Sequence, residues 1–266
     1  MTVVLEFFAF FAFILVLGYL APAGGYFWTY YVRRSASNDS RRIQHRQPTQ
    51  AGIAREIKLS LSTVLIFAIM ATGLFQLYKA GLTSIYWEVR SYPLIRVPVT
   101  VFLCMVLHDT YFYWSHRFMH WRPVFKYTHA GHHRSIAPTP WAIYAFQPAE
   151  AVIQFLGIAL LVVFLPMHPL AFLLFLFLDT HMNTAGHAGY EVVPRYISDS
   201  PLYTGFNTVT HHDAHHTNLG KNFGSFFNVW DRWMGTFLDG ATPPSEEQTP
   251  LPQVQHQPAA ARQDAA

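Results

Sequence analysis

Long apolar runs separated by short polar connections mark the first part of this chain, which is the pattern of a helical membrane protein. Residues 3–20 and 57–78 are each close to the roughly 20 apolar residues that a helix needs to cross a bilayer. A third apolar run extends over residues 92–107 and leads without a break into a histidine-rich segment. The pattern therefore predicts three membrane-crossing helices in the first 107 residues.

Two shorter apolar runs follow, at residues 151–165 and 169–178. They flank Pro166-Met167-His168-Pro169, and each is short for a full crossing. We predict a helical hairpin that turns at these prolines and is tilted or only partly inserted. The expected fold class is all-α, a multi-pass transmembrane helical bundle.

The first apolar run has a second interpretation, a secretory signal peptide. Ala21-Pro22-Ala23 resembles a small-residue cleavage site. However, no lysine or arginine precedes the run, and Glu6 stands where a signal peptide has its positive charge. A retained span is therefore favoured.

The segment 27–58 is basic and orients the predicted helices. It holds seven of the 18 lysines and arginines, namely Arg33, Arg34, Arg41, Arg42, Arg46, Arg55 and Lys58. The positive-inside rule places such a loop in the cytoplasm, where the sequon at Asn38 would stay unmodified. Counting crossings from there returns every histidine group to the same face, so we expect a histidine-rich cap on the cytoplasmic side.

Composition agrees with a membrane protein and excludes several alternatives. Hydrophobic residues make up 52% of the 266 residues and charged residues only 12%, whereas soluble domains carry roughly 25% charged residues. The net charge of +3 comes without a basic stripe, so nucleic-acid binding is not expected. Cys104 is the only cysteine, which excludes a disulfide framework and a multi-thiolate metal site.

The same patterns divide the chain into three parts. Residues 1–98 are predicted to form the N-terminal membrane spans and the basic cytoplasmic loop. Residues 99–240 hold the chemistry-bearing histidines. Residues 241–266 are rich in Pro, Gln and Ala without apolar periodicity, which predicts a disordered tail, so His256 within it is discounted.

The histidines of this chain recur at helical spacing. Residues at i, i+3 and i+4 share one face of a helix, and imidazole is the commonest protein ligand for metals. Three helical segments would each present such a ridge: His116 and His120, then His129, His132 and His133, then His212, His215 and His216. These eight, or nine with His187, are too many for one ion, so the spacing predicts two metal ions with some positions left open. The alternative is a set of histidines that are individually satisfied by hydrogen bonds.

The remaining histidines are assigned more coarsely. His108 ends the third apolar run and could be a ligand, support a ligand or face the substrate; the roles of His181 and His211 stay open. His168 is expected to be structural and His45 to lie on the surface. Ligating histidines usually donate their second ring nitrogen to a carboxylate or carbonyl. Asp109 and Asp213 are the nearest candidates in sequence, and the others are Glu150, Asp179, Glu191 and Asp199.

The donor set leaves redox iron and hydrolytic zinc both open. A metal pair at a membrane face suits a lipid-soluble substrate, and oxygen activation benefits from a dry, enclosed site. No Gly-x-Gly-x-x-Gly or P-loop motif is present, so an oxygenase would need electrons from a separate protein. Ser115-His116 lacks a nucleophile elbow and is not a hydrolase pair.

At these residues the chain resembles the fatty acid hydroxylase/sterol desaturase superfamily of membrane di-iron oxygenases. The resemblance runs from about Leu107 to Gly235 and is carried by HDTYFYWSHRFMH, KYTHAGHH, NTAGHAGYE, NTVTHHDAHHTNLGKNFG and NVWDRWMGT. It implies a di-iron domain over residues 99–240, with zinc able to replace iron in purified protein. It also implies a lipid that is hydroxylated or desaturated with O2, and a cytochrome b5- or ferredoxin-type electron donor. The ligands implied are His116, His120, His129, His132, His133, His187, His212, His215 and His216.

Within that superfamily, HHRSIAPTPWAIYAFQPAEAVI and GHAGYE are most similar to the sterol C-5 desaturase branch. Gln147 departs from the pattern, because many members have histidine there. A sterol-like substrate is therefore favoured, with a carotenoid or fatty-acyl hydroxylase as the alternative. Tyr111, Trp114, Trp141 and Phe146 are candidate walls of the substrate site. A metal-binding or transport membrane protein is the non-enzyme alternative, although histidines at span ends rather than within spans argue against transport.

Overall fold

The computed structural model describes residues 2–33, 40–44, 46–88, 95–198, 200–201 and 203–239. Within them the chain is helical, with isolated β-bridges such as Arg42–Tyr190 and no β-strand. The predicted all-α class is confirmed for this part of the chain. Asn38, His45, Asp199 and the predicted tail at 241–266 lie outside the described residues.

The first two helices are the long ones. Helix α1 runs over Val3–Val32, with π-helical turns at Ile14–Leu20 and Trp28–Val32, and helix α2 covers Gln50–Lys79. Among the described residues, these two are long and apolar enough to cross a membrane. The predicted loop at 27–58 is too wide: the aromatic residues after Phe27 continue α1, and α2 begins directly after Thr49, whose hydroxyl accepts a hydrogen bond from Gly52 N at 3.0 Å.

An acidic residue inside the first apolar run has a structural explanation. The Glu6 side chain is buried, and its Oε1 lies 2.9 Å from Lys79 Nζ. Gln76 Nε2 donates a second hydrogen bond to Glu6 at 2.7 Å. A charge in an apolar environment is tolerated when it is paired, so this contact ties the start of α1 to the end of α2.

The second half of the fold is built on three further helices. Helix α3 spans Arg96–Met119, and the shorter pair α5 and α6 spans Pro148–Phe164 and Pro169–Gly186. The predicted turn between the last two is confirmed. His168 caps α6, because its Nδ1 accepts a hydrogen bond from Leu170 N at 3.1 Å, in agreement with the structural role expected for it.

Short elements complete the histidine-bearing end. They are α4 at Arg122–Thr128, single 3₁₀ turns at His132–Arg134 and Pro140–Ala142, α7 at Arg195–Ser198, α8 at Val209–Thr217 and α9 at Val229–Trp233. One prediction was wrong: His129, His132 and His133 do not lie on one α-helix. His129 follows the last turn of α4, and the 3₁₀ turn carries the other two. Gly131 stands between them.

Helix packing brings the ends of these elements together. Helix α1 packs along α2, α2 packs on α5, and α3 packs on both α5 and α6. The buried side chains between α3, α5 and α6 are Cys104, Leu161, Met167, Phe175 and Phe226. At Gly157 the backbone of α5 approaches the Tyr111 ring of α3 so closely that a Cβ would lie 2.6 Å from Tyr111 Cδ1. Small residues allow such close helix packing.

Candidate metal centre

Nine buried or half-buried histidines converge at one end of the helices. They form two groups, and in each group the nearest ring nitrogens lie within 4.8 Å of one another. Group A contains His116, His120, His129, His133 and His215, and group B contains His132, His187, His212 and His216. All nine histidines predicted as ligands are in these two groups, so tertiary structure brings together residues that are separated by up to a hundred positions in sequence.

The two groups adjoin and share their sequence motifs. The rings of His129 (group A) and His132 (group B) lie 5.1 Å apart between centroids, and those of His133 and His216 lie 5.0 Å apart. In the motif at residues 129–133 the first and last histidines belong to group A and His132 belongs to group B. In the motif at residues 212–216 the first and last histidines belong to group B and His215 belongs to group A. Each motif therefore links the two groups instead of serving a single one.

The inner ring nitrogens face each other at short range. In group A, His116 Nε2 lies 2.9 Å from His129 Nε2, and His133 Nε2 lies 3.2 Å from His120 Nε2. In group B, His187 Nε2 lies 3.0 Å from His212 Nε2 and 3.3 Å from His132 Nε2. Neutral imidazole carries a proton on only one nitrogen.

The outer nitrogens of four rings show which tautomer is present. They contact acceptors: His116 Nδ1 the carbonyl of Phe223 at 2.9 Å, His187 Nδ1 that of Asn183 at 2.8 Å, and His215 Nδ1 that of Lys221 at 2.6 Å. The fourth, His129 Nδ1, contacts Glu150 Oε1 at 2.6 Å. A nitrogen that faces a carbonyl must donate, which leaves Nε2 of His116, His187 and His215 with a free lone pair directed into the group, and the same holds for His129 when Glu150 is ionised.

These contacts fit a bound cation. The His116 ring is held at Nδ1 by a carbonyl and the His129 ring by the Glu150 carboxyl group, so with Glu150 ionised their Nε2 lone pairs oppose each other in a buried space. Two opposed lone pairs repel unless a cation lies between them. An all-nitrogen donor set of this kind suits first-row transition metals such as iron, zinc or copper.

Burial also keeps the imidazoles uncharged. It lowers the pKa of His187 to about 4. Burial and then neighbouring imidazoles lower the pKa well below the ordinary value of 6.5 for His129, His132, His133, His212 and His216. Because only the neutral ring can ligate a metal, both groups are ready to bind metal at neutral pH.

A carboxyl group that contacts a histidine of the site is not one of the two that are nearest in sequence. Glu150, fully buried, contacts His129 directly. Asp109 holds backbone instead: its Oδ1 accepts the backbone N–H groups of Ser225, Phe226 and Phe227 at 2.7–3.1 Å. It thereby anchors the loop that supplies the Phe223 carbonyl to His116. Asp213 lies in α8 beside His212.

Other predicted carboxylates and Gln147 have backbone partners. Glu191 Oε2 accepts from Thr210 N at 3.3 Å and from its hydroxyl at 2.9 Å, at the start of α8. Gln147, which replaces the histidine common in the superfamily, accepts from Gly131 N at 2.7 Å and donates to the Lys126 carbonyl at 3.2 Å. It fixes the turn that carries His129 and His132. Sequence reasoning missed the supporting carbonyls of Phe223, Asn183 and Lys221, since every residue carries one.

The histidines outside the two groups have separate environments. His211 forms a capping box with Thr208 at the start of α8. His181 contacts the Phe177 carbonyl at 2.8 Å and is half-buried. His108 is buried between the rings of Phe175 and Phe226, with its Nδ1 3.7 Å from Asp179 Oδ1. None of these three belongs to either group.

An elongated apolar cavity of about 590 Å³ lies beside the site. Phe67 and Tyr78 of α2 both line it, and eleven residues of helix correspond to roughly 16 Å. At its inner end Phe112 and Phe146 line the wall. The Phe112 ring packs on His116 of group A at 5.1 Å, and the Phe146 ring packs on His132 of group B at 5.7 Å. The cavity therefore ends against both groups.

Only one of the four aromatic residues predicted as substrate-site walls lines this cavity, namely Phe146. Tyr111 donates to the Ile153 carbonyl at 2.7 Å, Trp114 packs on Trp230, and Trp141 packs on Tyr19. These three serve helix packing. Sequence pattern does not distinguish an aromatic ring that faces a cavity from one that faces a neighbouring helix.

Comparison with known proteins matches residues 101–236, just over half of the chain, to the family described as fatty acid hydroxylase. Human lathosterol oxidase is 29% identical over 197 residues, which cover 73% of this chain and 64% of that protein. The Delta(7)-sterol 5(6)-desaturase ERG3A of Gibberella zeae is 29% identical over 201 residues, covering 75% and 55%. The chain thus spans less than two thirds of the length of these relatives. No solved structure matches it.

Proposed function

Because this chain belongs to the fatty acid hydroxylase family, we propose that it is a membrane-bound oxidoreductase that desaturates or hydroxylates a lipid. One observation carries the proposal: nine histidines bring their ring nitrogens together in two adjoining groups beside an apolar cavity. The relatives named as sterol desaturases and lathosterol oxidase favour a sterol-like substrate. A carotenoid or fatty-acyl lipid is the alternative for the same cavity.

Groups A and B are proposed to hold one iron ion each. His116, His120, His129, His133 and His215 would bind the first, and His132, His187, His212 and His216 the second. When bound, the irons would supply the activation of O2 and the removal of hydrogen from the lipid. Family membership favours iron, and the neutral nitrogen donors of both groups support a redox metal.

The chain's own residues would prepare this chemistry. Phe223, Asn183 and Lys221 carbonyls and the Glu150 carboxylate hold the outer nitrogens of four rings, which fixes the direction of their lone pairs. Phe112 and Phe146 form an apolar wall between the lipid and the ligands. An apolar wall excludes water and protects a reactive site from side reactions.

The overall reaction requires external electrons. Desaturation would remove two hydrogens from adjacent carbons and consume one O2, two electrons and two protons, with two waters released. Hydroxylation would place one oxygen atom in a C–H bond and release the other as water, with the same electron demand. We propose a one-electron carrier of the cytochrome b5 or ferredoxin type as the donor.

We further propose a multi-pass arrangement with both histidine groups on the cytoplasmic side. In the part of the chain that the structure describes, two helices are long and apolar enough to cross a membrane. The basic connection between them favours the cytoplasm. Helix α3 and the α5–α6 hairpin would complete the bundle.

Oxidation of a defined lipid tests the proposal. Membranes holding the chain, an electron-carrier protein and its reductase would be supplied with lathosterol, a saturated phospholipid or β-carotene, and products would be identified by mass spectrometry. We expect O2-dependent oxidation of the sterol that is lost in His212→Ala and His216→Ala, with His181→Ala as the matched active control. Metal flux into liposomes without lipid oxidation would refute the proposal.

A further inference from the structure

A buried histidine and aspartate form a polar spot in the wall of the largely apolar cavity. His108 of α3 and Asp179 of α6 both line the cavity. His108 is 4% exposed, and the Asp179 side chain is 14% exposed. Neither residue belongs to group A or group B. The pair is therefore free to serve a ligand in the cavity.

The position of the pair is defined by the two helices that carry the metal ligands. His108 precedes His116 by eight residues, and Asp179 precedes His187 by eight residues. Eight residues of α-helix correspond to about 12 Å. The pair thus lies two turns away from group A on one helix and from group B on the other, on the cavity side of both.

The two side chains are spaced for a bridging group. His108 Nδ1 lies 3.7 Å from Asp179 Oδ1, beyond hydrogen-bond distance. Within the described residues, His108 Nδ1 is buried and has no hydrogen-bond partner. Asp179 Oδ1 accepts one hydrogen bond, from Asn183 Nδ2 at 3.0 Å, and a carboxylate can accept several. A buried polar nitrogen without a partner costs free energy, and a ligand group could satisfy it.

We propose that His108 and Asp179 bind the hydroxyl group of a lipid alcohol. A hydroxyl has one donor and two acceptor lone pairs. It can accept from the His108 ring nitrogen and donate to Asp179 at the same time. A ketone only accepts, so it offers Asp179 no hydrogen bond in addition to the one from Asn183. The inference rests on the proposed function, since it assigns the lipid to this cavity.

The lipid's orientation follows from where the pair lies. The hydroxyl end would be deep in the cavity near Phe112, and the apolar remainder would extend along α2 toward Phe75 and Tyr78. The C–H bond within reach of the metal groups would then belong to the hydroxyl-bearing half of the lipid. Oxidation at the far end of the tail would require the opposite orientation.

Equilibrium binding of three lipids with one carbon skeleton tests the proposal. The detergent-purified chain would be titrated with tritiated cholestanol, and unlabelled cholestanone and cholestane would serve as competitors, in the absence of reductant. Hydrogen bonds to charged groups are worth enough to change affinity by about tenfold. We expect cholestanol to bind about that much more tightly than either competitor. Equal affinities of the three lipids for the unaltered chain would overturn the proposal.

Two variants assign the effect to the pair. His108→Phe keeps a ring between Phe175 and Phe226, and Asp179→Asn keeps the shape of the side chain. His108→Phe should lose the preference for cholestanol while cholestane binding stays unchanged. Asp179→Asn can donate to a carbonyl oxygen, so it should shift the preference toward cholestanone. His181→Phe, on the same helix but outside the cavity, is the matched control and should behave like the unaltered chain.

The outcomes separate this inference from the proposed function. Hydroxyl-dependent binding without any oxidation would leave the inference standing and refute the enzyme. Sterol oxidation that is unaffected by both variants, with cholestanol and cholestane bound equally, would refute the inference alone. A general loss of folding would appear as loss of cholestane binding, and the comparison of three lipids on the unaltered chain would then decide.

Discussion

The ring nitrogens His116 Nε2 and His129 Nε2 oppose each other at 2.9 Å, although both rings are held from behind by acceptors. When Glu150 is ionised, this arrangement places two lone pairs in one buried space. It is unfavourable for an empty protein interior and favourable for a cation site. The two histidines are thirteen positions apart in sequence, and their contact supports the metal site that we propose for this chain.

Metal content should divide between the two groups. We expect two metal ions per chain, one in each group, and a loss of one of them in His216→Ala because that ring belongs only to group B. His133→Ala should instead remove the ion of group A. Elemental analysis of purified protein measures both, with His181→Ala as control. Full metal content in His133→Ala and His216→Ala would show that these rings are not ligands.

Glu150 should tune metal affinity without touching the metal. Its Oε1 contacts His129 Nδ1 at 2.6 Å. Glu150→Gln keeps the shape but exchanges the carboxyl group for an amide, a weaker acceptor of the ring N–H, and loss of such a partner typically lowers metal affinity by roughly 10- to 100-fold. Competition with a chelator would measure the change. Glu88→Gln, at an exposed position, should leave the affinity as it is, and an equal fall there would make the effect non-specific.

Asp109 should matter for stability through the loop that it anchors. Its Oδ1 accepts three backbone N–H groups. Asp109→Ala leaves these donors without a partner, and each buried unsatisfied group costs about 1–3 kcal/mol. We expect a clear fall in thermal stability in detergent together with reduced metal in group A, because the Phe223 carbonyl is displaced. Asp239→Ala, with a side chain that is 83% exposed, is the control; similar melting of both variants would contradict this role.

Glycine substitutions should separate helix packing from helix propensity. In Gly157→Ala the new Cβ would lie 2.6 Å from Tyr111, and overpacking of this kind costs about 1–3 kcal/mol. At Gly73 of α2 a Cβ would meet no described atom within 4 Å apart from its own helix backbone, so Gly73→Ala should be neutral or stabilising by up to about 1 kcal/mol. Thermal unfolding in detergent compares the two. Equal stability of both variants would show that α3 and α5 do not pack as closely as the structure indicates.

The membrane topology can be tested with single cysteines. Cys104 is the only native cysteine and is fully buried, so introduced thiols report separately. Leu82, after the end of α2, is 60% exposed, and Leu219, after α8, is 45% exposed. A membrane-impermeant thiol reagent added outside cells should label Leu82→Cys and not Leu219→Cys. The reverse pattern would place the histidine groups outside the cytoplasm.

The local fold was largely predictable from pattern. Continuous apolar stretches predicted α2 and the α5–α6 hairpin. A chain in an apolar environment satisfies its backbone hydrogen bonds by forming a helix, and a pair of prolines interrupts that helix. The boundaries of the basic segment were wrong, since the aromatic residues at the end of α1 continue the helix and Thr49 starts the next one. Capping hydrogen bonds of this kind decide helix ends and leave only a weak trace in sequence.

By itself, the sequence predicted which histidines would come together: eight from their helical spacing, which is a chemical pattern, and His187 from the resemblance to the family. The sequence did not determine how these histidines divide between group A and group B. His132 and His215 leave their motif neighbours and join the opposite groups, because the direction of each ring depends on the 3₁₀ turn at His132–Arg134 and on α8 facing both α3 and the end of α6. The buried pair His108–Asp179 was likewise separated in sequence. Only the packing of α3 on α6 placed its two polar atoms 3.7 Å apart in an apolar cavity.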